Sequence, residues 1–157
     1  MSATVTRRDV YYSTLDNLLA DAERLAHGKV HTVGQWTYPQ ILDHLARSFN
    51  ASVDGFEFQA PWFARVLLAP LLRNWMLTHS MKPGFKLPAK GEALVPDASI
   101  SLPDAFEKFA QAVTRFKKEK KRAPHPFLGN LSPREYEMAH CRHAELHMSF
   151  VIPDEIA

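Results

Sequence analysis

Residues 132–150 read SPREYEMAHCRHAELHMSF, a stretch that joins a helix start to three closely spaced histidines. Ser132 offers a side-chain acceptor to free amides, Pro133 stands where its missing N–H is not needed, and Glu135 closes a capping box. No Gly or Pro follows until Pro153. At about 100° of turn per residue, Tyr136, His140, His143, His147 and Phe150 fall within a stripe roughly 80° wide. Three imidazoles therefore point the same way. His143 and His147, one turn apart, are close enough to hold one ion between them. Taken alone, an HxxxH pair is better explained by hydrogen-bonded histidines in a polar helix interface.

Composition limits what those histidines serve. A chain of 157 residues with 46% hydrophobic and 23% charged residues fits one domain able to bury a core, here residues 1–157 with an N-terminal arm over 1–12. The 19 Lys and Arg against 17 Asp and Glu leave a net charge of +2, which argues against nucleic acid or an acidic membrane as the main partner. Cys141 is the only cysteine, so no intramolecular disulfide forms and a cytoplasmic setting is expected. The opening MSATVTRRDVYY lacks the apolar core of a signal peptide. The apolar run from Trp62 to Leu77 is too short for a membrane span and is broken by Arg65, Pro70 and Arg73.

Outward from the histidine helix, the chain reads as four more helical segments. The first is capped by Ser13 with Asp16 three residues on, and Leu15, Leu18, Leu19, Ala22, Leu25 and Ala26 make its apolar stripe up to Gly28. His27 and His31 flank its end, where cationic side chains complement the helix C-terminus. The second starts at Thr37 with Pro39 in its first turn, and its core face carries Tyr38, Ile41, Leu42, Leu45, Phe49 and Val53. His44 sits roughly 115° from the middle of that face, beside Gln40, Ser48 and Ala51, where small and polar neighbours point to a cavity wall or a hydrogen-bonded boundary.

Residues 61–81 form a third, hydrophobic helix with an expected kink at Pro70, its Trp62, Phe63, Trp75 and Met76 reading as core or association surface. MKPGFKLPAKGEALVPD then makes a long middle loop, either a lid over a pocket or a connector packed by Phe85 and Leu87. A fourth helix opens at Ser101 and ends in KKEKKR, a solvated basic terminus. The linker APHPFLGNL places His125 in a turn. Five helices without a convincing strand predict an all-α fold, most economically a four-helix bundle with one extra or broken helix. Sites in bundles are built from facing helices, which lets His44 meet His143 and His147. Three imidazoles leave a divalent ion open positions for water or substrate, and nitrogen ligation suits zinc, nickel, cobalt or iron.

GQWTYPQILDHLARSFNASVDGF, MKPGFKLP and HPFLGNLSPREYEMAHCRHAELHMSF together resemble the DinB/YfiT-like superfamily of metalloproteins, in a branch catalogued only as a domain of unknown function. The similarity runs from about Arg7 to Phe150. It implies a DinB-like four-helix bundle, often dimeric, with a divalent metal on His44, His143 and His147. From its place on the stripe, His140 competes for a ligand position or else supports the ligands from behind; Gln40, Ser48 and Tyr136 are alternative partners for the second nitrogen of a ligating ring, and the stripe also makes Tyr136 the candidate proton donor. Relatives in that superfamily include transferases and isomerases that use low-molecular-weight thiols such as bacillithiol, mycothiol or glutathione. The resulting expectation is a divalent-metal-dependent enzyme, a thiol-dependent transferase or a metal-assisted hydrolase, acting on a small-molecule substrate. Glu145 and Cys141 turn away from the histidine stripe and are excluded as ligands. A non-catalytic binding module built on the aromatic segment is the second expectation, and a DNA-directed role is disfavoured by the near-neutral charge.

Overall fold

Helix starts are set by side-chain acceptors, and four of the five α-helices begin at one. The computed structural model describes residues 6–84, 86 and 88–154; Phe85 and Leu87 lie outside the described residues. α1 spans Leu15–His27, α2 Tyr38–Asp54, α3 Ala69–Thr78, α4 Leu102–Lys118 and α5 Pro133–Met148. Thr37 with Gln40 and Ser132 with Glu135 form full capping boxes, and Ser101 accepts from the Asp104 amide. At α1 the cap is Thr14, whose side chain accepts from the Asn17 amide, and not Ser13. Two adjacent hydroxyls compete there, and the extended backbone at Thr14 decides; Ser13 Oγ bonds the Asn17 side chain instead. α5 ends at Met148, so Phe150 lies beyond the histidine stripe.

Pro70 stands in the first turn of α3, inside one helical run from residue 62 to 78. A five-residue π turn, Ala64–Leu68, precedes it, closed by the Ala69 amide donating to Ala64 O. Proline cannot donate to the carbonyl four residues back and crowds it, and the wider turn accommodates that conflict.

The chain is mostly helical, with one correction to the all-α expectation. β1, Val30–Thr32, pairs antiparallel with β2, Val151–Pro153, Val30 lying opposite Pro153 and Thr32 opposite Val151. Three-residue strands are too short for an alternating pattern to be visible in sequence. The ribbon ties the exit of α5 to the loop entering α2, where the Val33 amide also donates to Phe150 O.

α2 lies along α4 as the most extensive helix pair, and α1 packs on both α4 and α5. Their shared core includes Leu18, Leu25, Leu42, Phe49, Phe109 and Met148. Burying side chains of this size contributes about 1.5–3 kcal/mol each before chain entropy is counted. α3 stands apart, packing Ala69 and Leu77 with Leu128 against the Met138–Ala139 side of α5. The segment leading into α1 lies along the end of α5: Arg8 N donates to Ser149 O, and the buried Tyr12 donates its amide to Glu145 Oε1. The basic end of α4 is exposed over residues 117–121, with Lys117 paired to Asp16, but Arg122 folds back over the Phe116 ring and donates to the Phe116, Glu119 and Lys121 carbonyls.

The middle loop contains a 3₁₀ turn, Ala89–Leu94, and its second half is fastened to α2. Asp43, 2% exposed, accepts from the Asp97 amide and from Arg47 Nε, while Arg47 Nη1 donates to Ala93 O. This stretch of loop is a brace against the histidine-bearing face of α2.

Candidate metal centre

α2 and α5 face each other through imidazoles. His44 Nε2 lies 3.2 Å from His143 Nε2, and His147 Nε2 lies 3.1 Å from the same atom. The three ligand atoms all fall within 4.8 Å of one another. His44 is buried, and His143 and His147 are partly buried. His44 Nδ1 is 2.7 Å from Leu94 O, and a carbonyl only accepts, so Nδ1 carries the proton and the Nε2 lone pair is directed at the other two rings. One proton on His143 Nε2 satisfies a single neighbour, leaving the other close nitrogen pair without a donor. A shared cation would relieve the two close pairs, since tetrahedral ligation at about 2.0–2.1 Å separates nitrogens by roughly 3.3 Å.

Electrostatics keep the rings neutral. Burial lowers the His44 pKa against the raising effect of its Leu94 hydrogen bond. It holds His143 well below the usual histidine value, reinforced by His147 and His44, and takes His147 down to about 3, again with His44 adding. Neutral imidazoles present lone pairs and no competing charge.

Trp36 forms the wall of this cluster. Its ring stacks on His147 at 5.5 Å and 20° and tilts over His44 at 4.8 Å and 49°. Sequence reasoning missed it, although it stands directly before the Thr37 cap, in a position that the cap geometry directs toward the start of α2. Gly34, two residues earlier, packs against the Phe150 ring so closely that a Cβ would sit 3.0 Å from Phe150 Cδ1.

The expected supporting groups are placed elsewhere. Gln40 closes the α2 capping box with Thr37, and Ser48 Oγ donates to the His44 carbonyl, not to its ring. The partner of the His44 ring is Leu94 O, which no side-chain reading could supply. His140 sits on the same helix but bonds Ser52 Oγ at 3.0 Å and stacks on Phe49 at 3.9 Å. Tyr136 is buried, and its ring contacts are Phe116, His125 and His140. Burial raises its hydroxyl pKa, with Arg122 opposing, which makes it a poor acid.

The remaining candidates hold structural places. His125 Nδ1 accepts from the Phe127 and Leu128 amides and organises its turn, and burial takes its pKa down to about 4. His27 bonds Glu23 O, and His31 pairs with Asp154. Glu145 binds Arg142 and Tyr12, as its exclusion from the cluster requires. Cys141 is buried, and burial pushes its thiol up to about 11, so it behaves as a small apolar side chain.

A mostly helical protein whose second and last long helices bring three histidines together could hold a metal ion there. The chain matches the family described as Protein of unknown function (DUF1569) over residues 4–154 and belongs to it. No curated protein and no solved structure matches the chain.

Proposed function

We propose that His44, His143 and His147 hold a divalent cation, zinc, nickel or a similar ion, and that the protein is a metal-dependent enzyme acting on a small-molecule substrate. The convergence of three neutral imidazole nitrogens carries the reading: those of His44 and His147 lie 3.2 and 3.1 Å from that of His143, and all three fall within 4.8 Å of one another. Three protein ligands leave coordination positions for an incoming group, the arrangement of catalytic rather than structural zinc. Such an ion supplies Lewis acidity and lowers the pKa of a bound water or thiol. A low-molecular-weight thiol as co-substrate gives a transferase, and water gives a hydrolase.

His44 supplies its Nε2 in the tautomer that Leu94 O imposes, Trp36 excludes water from one side, and Asp43 with Arg47 holds the brace in place. Tyr136 has no part in this reading, because its surroundings are Phe116, His125 and His140. The helices α1, α2, α4 and α5, which contribute to one core, are on this proposal a DinB-like four-helix bundle, with α3 as the additional element. A cytoplasmic setting belongs to the same reading and rests on the single cysteine.

Elemental analysis of untagged protein is expected to find about one divalent ion per chain, and much less in the His44→Ala and His143→Ala variants. Full retention by both variants would reject the site. In cobalt-substituted protein, a visible spectrum perturbed by bacillithiol, mycothiol or glutathione supports the transferase, whereas indifference to all three favours water.

A second reading is a non-catalytic binding module, and the exposed face of α3 favours it. Loss of metal without any change in partner binding would support this alternative.

A further inference from the structure

α3 and the π turn before it leave most of their surface uncovered. Inward contacts run through Ala69 and Leu77, while eight large apolar side chains between Trp62 and Trp75 stand about half exposed or more, Leu71 reaching 79%. The only polar residue among the exposed positions of that stretch is Asn74. Arg65 and Arg73 turn back onto the protein, Arg65 to Ala60 O and Arg73 to Asn130 O and Glu135. Water-facing helices ordinarily carry charge at such positions.

Charge is segregated in the same region. Residues 58–91 contain five of the 19 Lys and Arg and none of the 17 Asp and Glu, so the segment is positive while the rest of the chain is net acidic; with Arg73 paired to Glu135 and Arg65 turned inward, the outward charge is that of three lysines. The overall +2 conceals this division. Lys82, Lys86 and Lys90 are exposed, and the lysine ion pairs among the described residues are those of Lys108 and Lys117.

We propose that α3 with the lysines that follow it is a docking face for an anionic bilayer surface. Trp62 and Trp75 stand at the two ends of an aliphatic strip, as side chains with an apolar body and a polar N–H do where acyl chains meet headgroups. The lysines meet the lipid anions, each adding affinity through the negative surface potential. No helix among the described residues is long and apolar enough to cross a membrane, so the contact is parallel to the surface. A two-fold homodimer through this face would bring two cationic segments together. An anionic surface removes that repulsion.

Sedimentation of the full chain with vesicles tests the assignment, using phosphatidylcholine alone and phosphatidylcholine containing phosphatidylglycerol. Binding is expected to require the anionic lipid and to fall with salt. Neutralising Lys82→Gln or Lys90→Gln is expected to weaken it about fivefold each. L71E is expected to abolish it with the melting temperature unchanged, since Leu71 supports no core contact. Equal binding to both vesicle types, or binding that survives L71E and both lysine variants, would overturn the proposal. A dimer that L71E dissolves, with no vesicle binding by either form, would give the face to a second copy and overturn it as well.

Discussion

At the scale of single residues, the histidines of α5 divide by what lies across from them. His143 meets another imidazole, whereas His140, one turn earlier, meets Ser52 and the face of Phe49. Its pKa falls to about 3, first through burial and then through His125 and Arg122. The folded value lies below the unfolded one, so the unfolded chain takes up the proton first as pH falls through about 6.5. Stability is complete above that pH and is lost on the way down toward 3. Chemical denaturation of metal-free protein is expected to show a loss of about 2–3 kcal/mol from this residue between pH 6.5 and 4.5. His140→Leu should make that part of the profile shallower, the remainder coming from His125, His143 and His147, and an unchanged acid slope would show that His140 makes no contribution.

Elements depend on their ends, and α1 offers a direct comparison. Thr14→Ala removes the acceptor of the Asn17 amide and is expected to destabilise by about 1 kcal/mol in urea titration. Ser13→Ala touches only a side-chain bond on the surface and is expected to change stability by less than about 0.5 kcal/mol. The reverse order would return the cap to Ser13. Four helix starts were legible because capping chemistry is local, but adjacent acceptors at α1 left the register to the backbone. The β1–β2 ribbon was not legible, because its strands are three residues each and their pairing joins Val30 to Pro153 across nearly the whole chain. That pairing nonetheless positions Gly34 against Phe150 and so the loop that delivers Trp36.

For the whole molecule, the proposed metal binding would be linked to folding, because the triad exists only when α2 and α5 are packed in one core. An ion that binds the folded state alone stabilises it by about 2.7 kcal/mol at a hundredfold excess over its dissociation constant. For a chain of this size the melting temperature is expected to rise by roughly 5–10 °C on adding zinc or nickel to stripped protein. His44→Ala should lose the rise even though it remains folded. An equal rise in that variant, followed by differential scanning fluorimetry, would place the binding elsewhere.

The order of helices and their apolar faces could be read from the chain, because periodicity and capping act between residues a few positions apart; the set His44, His143 and His147 came with the family resemblance, since the stripe alone groups His140 with His143 and His147. Tertiary structure alone decided which nitrogens meet, that Leu94 O orients the His44 ring, that Trp36 stacks on His147, and that Gln40, Ser48 and Tyr136 serve other partners. Those contacts join residues tens of positions apart, and a backbone carbonyl or a loop tryptophan carries no signature of its destination until the packing of α2 against α5 has put it there.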